Sequence, residues 1–121
     1  MMSDTSDHGA ARARLSDSIA GIRARFVEGF AERAHELSAL AREAGQPDGA
    51  SARQTLRLKL HNLVGSAPTI GLPALGLRIT QIEAALASAP PGSLDARLAN
   101  RLAGEIEALA QDRNVLRQSN Q

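Results

Sequence analysis

The stretch Thr55–Glu83, TLRLKLHNLVGSAPTIGLPALGLRITQIE, carries two helical patterns end to end and one reactive side chain. Leu56, Leu60, Leu63 and Ala67 recur at three- and four-residue intervals and make a buried stripe with Val64 at its edge. A helix advances about 100° per residue, which puts His61 far from the centre of that stripe, on the exposed flank. Gly65 follows four residues later on the same side and leaves the imidazole uncovered. Arg57 and Asn62 share that side, and Leu58 lies almost opposite the stripe, so a small apolar patch adjoins the histidine. Pro68 distorts or ends this helix, and Gly71 with Pro73 opens another, because proline is well tolerated in a first turn. The second stripe is Leu72, Leu75, Ile79, Ile82 and Leu86.

Upstream, the pattern continues in a longer element. From Arg12 to Ala44 the larger apolar residues fall at Leu15, Ile19, Ile22, Phe26, Phe30, Leu37 and Leu40, with Ala34 filling the gap, and this predicts one long helix or two with a bend at Gly21 or Gly29. Gly45 is placed for a left-handed cap, Pro47, Asp48 and Gly49 form a turn, and Ser51 with Gln54 reads as a capping box for the helix that follows. Downstream, Ser88–Gly92 is a stop and turn. Ser93 is expected to cap a last helix with Asp95 in its first turn, its stripe running through Leu94, Leu98, Leu102, Ile106 and Leu109 towards Leu116. Four amphipathic helices with short loops predict an all-α antiparallel four-helix bundle, a single domain over residues 12–118, with residues 1–11 a disordered tail.

Composition narrows the function. Fourteen basic and 13 acidic side chains are scattered along the 121 residues for a net charge of +1, so no basic stripe for a nucleic acid backbone exists. The chain has no cysteine, and His8, His35 and His61 lack ligand-like spacing, which leaves no foothold for a metal or other bound cofactor. No run approaches the roughly 20 apolar residues of a membrane span, and the expected location is the cytoplasm. His8 reads as a solvated tail residue and His35 as a surface histidine.

Ordinary catalytic machinery is missing too. Ser66 near His61 has no strained elbow or oxyanion hole, and Glu28, Glu32, Glu36, Glu105 and Glu107 read as solvated helix faces. GSAPTIG lacks the Gly-Lys-Ser/Thr ending of a phosphate loop, so an ATP-dependent kinase is excluded. A neutral imidazole can still attack phosphorus near pH 7, provided a partner brings the charges that phosphoryl transfer needs.

The segment His61–Leu75, HNLVGSAPTIGLPAL, resembles the active helix of histidine phosphotransfer (HPt) domains, whose pattern runs His, any residue, Leu, usually Lys, Gly, Ser or Thr, a small residue, then Gly at the next helix. The resemblance spans Leu56–Leu86, about a quarter of the chain. It implies that His61 is the phosphoryl acceptor, Leu63 the core leucine after it, Gly65 the residue that leaves room for the phosphoryl group and Ser66 the small polar residue beyond. Gly71, Leu75 and Glu83 stand at family-like offsets. Arg57 and Asn62 are supporting residues in this reading, and Leu58 is the partner-binding one. Val64 stands where many members carry lysine. The implied activity is a phosphorelay carrier that exchanges a phosphoryl group with receiver aspartates of response regulators or hybrid histidine kinases, as a monomer, with Mg²⁺ on the receiver. The alternative is a helical adaptor that binds a receiver, or another protein, without transfer. A kinase dimerisation helix is disfavoured because no acidic residue follows His61.

Overall fold

The computed structural model describes the backbone of residues 2–117 and the side chains of residues 9–117. Its helices are α1 (Met2–Ala44), α2 (Ala50–Thr69), α3 (Pro73–Ser88) and α4 (Ala96–Leu109). Helix α1 packs against both α2 and α4, α2 packs against α3, and α3 and α4 meet least. Paired positions run in opposite senses along neighbours: Pro68 of α2 lies against Gly76 of α3 and His61 against Glu83, so the bundle is antiparallel. The core draws Phe30, Ala34, Leu37, Ala41 and Ala44 from α1, the expected Leu56, Leu60, Leu63 and Ala67 from α2, all five expected residues from Leu72 to Leu86, and Leu102, Ile106 and Leu109 from α4. Small Ala34, Ala41, Ala99 and Ala103 let the helices approach closely.

Helix α1 is continuous through Gly21 and Gly29. Each glycine costs about 1 kcal/mol relative to alanine, too little to break a helix whose remaining residues are mostly good helix formers and whose second half is pinned in the core. The helix also begins upstream of Arg12 and takes in residues 2–11, the stretch expected as a tail; Ala10, Ala11 and Ala13 favour that extension. The side chain of His8 and all of Gln118 lie outside the described residues. At about 1.5 Å per residue, α1 is more than twice as long as α2, and its first half overhangs the bundle. The apolar stripe of α1 is therefore only half covered: Leu15 and Ile22 are exposed, and Ile19 and Phe26 are partly so.

The helix ends differ from expectation in instructive ways. Gly45 is not left-handed. It is small because α4 crosses there, and a Cβ on it would stand 2.6 Å from the Ala99 Cβ. The Ser51–Gln54 box is not formed: α2 starts a residue earlier, with Gly49 at its cap and no side-chain cap bond, and a side chain at Gly49 would run into the Ala44 carbonyl. Gly71, at φ +88°, closes α2 rather than opening α3. Its amide donates to the Pro68 carbonyl (3.0 Å) and that of Leu72 to Ala67 (2.8 Å), the paired bonds of a Schellman ending. Asp95, not Ser93, caps α4 by accepting the Leu98 amide, while Leu94 precedes the helix and donates its amide to the Ala44 carbonyl at 2.7 Å. Helix α4 stops at Leu109, and Asp112 turns the chain by accepting the Asn114 amide, so that Val115 is buried from a turn and not from a helix.

One ion pair ties α1 to α4. Arg42 donates to Glu107 at 2.9 Å, and this hydrogen bond with its charge holds the Glu107 carboxyl below, and the Arg42 guanidinium above, their ordinary values.

Candidate functional site

The outer face of the α2–α3 hairpin is positioned from both of its ends. At one end Gly76 of α3 is buried against Pro68 of α2, and a Cβ there would lie 3.1 Å from the proline Cδ, so the missing side chain sets how near the helices come. At the other, Arg53 of α2 reaches across and donates to the carbonyls of Leu86 (2.9 Å), Ala89 (2.8 Å), Pro90 and Gly92 (3.0 Å). Four carbonyls at the end of α3 and its turn thus converge on one guanidinium, whose fork suits several acceptors at once; that of Leu86 also accepts the Ala89 amide.

Between these two anchors His61 meets Glu83. The imidazole Nδ1 is 3.1 Å from Glu83 Oε2; the histidine side chain is 68% exposed and that of Glu83 only 17%. An ionised carboxylate only accepts hydrogen bonds, so the neutral ring carries its proton on Nδ1 and leaves Nε2 as the basic, unprotonated nitrogen. A fixed tautomer on an exposed ring is a nucleophile with a defined direction, and the carboxylate behind it offsets the positive charge that develops on the ring as Nε2 forms a bond.

The other residues singled out from the sequence take distinct places. Gly65 is exposed, and a Cβ built on it meets no heavy atom within 4 Å. Leu58 is 60% exposed. Arg57 is exposed and forms no hydrogen bond or ion pair with another described residue. Asn62 and Ser66 turn to the far flank of α2, where they join Lys59, Leu63 and the α1 residues Arg33, Glu36 and Leu37 around a groove of about 340 Å³. His35 is exposed on α1, and its carbonyl accepts a bond from the buried Ser38 hydroxyl. Among the described residues no group of three His, Asp or Glu side chains is arranged to hold a metal ion.

Three further residues lie off the buried stripes. Glu83 sits beside the α3 stripe next to Ile82, and its bond to His61 spans 22 residues of sequence. Leu77, 62% exposed, lies opposite the α3 stripe just as Leu58 lies opposite that of α2, and the same angular count finds it. Arg53 gives no local signal, since all its acceptors are more than 30 residues away.

A family model described as the Hpt domain matches residues 21–112, which begin where α1 enters the bundle and take in all of α2, α3 and α4. No match was found among curated proteins or among solved structures. Domains of this family serve phosphotransfer in two-component systems and interact there with receiver domains and kinases. With three quarters of its length matched and the four helices in place, the chain belongs to the Hpt domain family.

Proposed function

We propose that this protein is a phosphorelay carrier of the cytoplasm, in which His61 accepts a phosphoryl group from a receiver aspartate and returns it to another. The observation that carries the reading is the exposed His61 ring held through Nδ1 by Glu83. In the transfer, Nε2 attacks the phosphorus of the aspartyl phosphate; the N–P bond forms as the P–O bond to aspartate breaks, and the carboxylate leaves with its electron pair. No proton has to depart, because Nδ1 keeps its own and the cationic phosphoimidazole is stabilised by the Glu83 carboxylate. The reverse reaction uses the same atoms. The receiver contributes the aspartate and its Mg²⁺, and Leu58 supplies apolar area for docking beside the histidine.

Incubation with a labelled phosphoreceiver and Mg²⁺ tests this. Acid-labile label is expected on the wild type and on His35→Gln, and none on His61→Gln. Glu83→Ala should take label at least about tenfold more slowly, the scale of one hydrogen bond to a charged group. Label that persists in His61→Gln sinks the assignment, and a receiver that binds without any transfer would favour the adaptor function.

A further inference from the structure

A phosphoryl group on His61 creates a charge problem that the unmodified protein does not have. It carries about −1.5 to −2 at neutral pH and would stand across the ring from Glu83, a carboxylate partly withdrawn from water and therefore weakly screened. The ring's own positive charge is already paired with Glu83 through Nδ1, so the phosphoryl oxygens call for a second cation. Val64, one turn after His61, is apolar and packs half-buried against the core. Arg53 is committed to four carbonyls. Arg78 pairs with Asp112 at 3.6 Å. Lys59 lines the groove on the α1 side of α2 in company with Glu36.

That leaves Arg57. It is exposed, has no partner among the described residues, and stands four positions before His61, so that the two Cβ atoms are helix-surface neighbours about 5–6 Å apart. Side chains on a helix lean towards its N-terminus, which tips the imidazole over the turn that carries Arg57. A guanidinium there can present two N–H groups to two phosphoryl oxygens without disturbing the Nδ1 bond on the other edge of the ring. We infer that Arg57 is the cation that supports the phosphorylated state of His61. The assignment rests on the phosphotransfer function proposed above, and it gives this bundle its counter-charge from the turn before the histidine.

The test separates the two ideas by adding a phosphoryl donor that is not a receiver. Phosphoramidate transfers its phosphoryl group to histidine with loss of ammonia, and the phosphohistidine is then followed by ³¹P NMR. In Arg57→Gln the phosphoryl titration should move to higher pH, since the dianion loses its partner, and the share of phosphate on His61 at equilibrium with a receiver should fall by up to about fivefold, the reach of an exposed ion pair. Arg57→Lys should recover most of both effects, high salt should erase them, and Lys59→Gln should show neither. An unchanged titration and an unchanged equilibrium in Arg57→Gln overturn the inference while leaving His61 as the acceptor. An equal shift in Lys59→Gln overturns it as well, since the effect would then be one of general charge. Failure of His61 to take phosphate from phosphoramidate and from the receiver alike rejects both the acceptor and its supporting cation.

Discussion

A Cβ added at Gly65 points into open space, so alanine fits there and should stabilise the bundle by up to about 1 kcal/mol through its better helix propensity. Glycine on this exposed helix face forgoes that stabilisation and leaves the volume beside it empty. Gly65→Leu is expected to fold with a thermal midpoint at or above that of the wild type and to lose most phosphotransfer, because its side chain leans back over the His61 turn; full transfer by a well-folded Gly65→Leu would show the glycine to be incidental. The exposure of His61 and Leu58 was legible in the sequence because both follow from a constant angular step on one helix. The bond to Glu83 was not, since it depends on which residues of α2 and α3 stand level, and that register is set by Gly76 closing on Pro68 and not by any local pattern.

Helices as elements were readable, but their ends were less so. The four stripes rest on local periodicity, whereas a cap is decided by which backbone groups are left without partners once the helices have packed. Leu94 illustrates this: its amide goes to the Ala44 carbonyl at the end of α1, which fixes the approach to α4 and hands the cap to Asp95. Gly71 illustrates it again, since a single glycine between two helices can close one or open the next, and only its positive φ decides. Arg53 is the strongest such tie. Arg53→Ala should remove the donor shared by four carbonyls around the Ser88–Gly92 turn, of which that of Leu86 keeps the Ala89 amide, and lower stability by about 2 kcal/mol, more than a typical surface substitution. Urea unfolding checks the magnitude, and a loss under about 0.5 kcal/mol would mean that water replaces the guanidinium. Because the same clamp fixes the end of α3, the variant should also slow transfer to His61.

At the scale of the whole molecule, the antiparallel bundle was plain in the sequence, whereas the helical extension of α1 through residues 2–11 was not. The apolar stripe on α1 runs from Leu15 to Leu40, yet burial needs a neighbour, and α2 and α3 turn back at Thr69–Pro73. From Gly9 to Ser18 every residue is exposed. Deleting residues 1–20 should therefore change the unfolding free energy by no more than about 0.5 kcal/mol while removing helical circular dichroism in proportion, with His61 chemistry untouched. A larger loss would reveal packing of Leu15 and Ile19 on Pro68 and Thr69, which flank the same groove. The overhang has a hydrodynamic consequence as well. A rod on the order of 30 Å long fixed to one end of a bundle gives the protein a long axis. It should elute from gel filtration ahead of compact proteins of 12.7 kDa and tumble anisotropically, so that amide groups aligned with α1 report a longer correlation time than those lying across it.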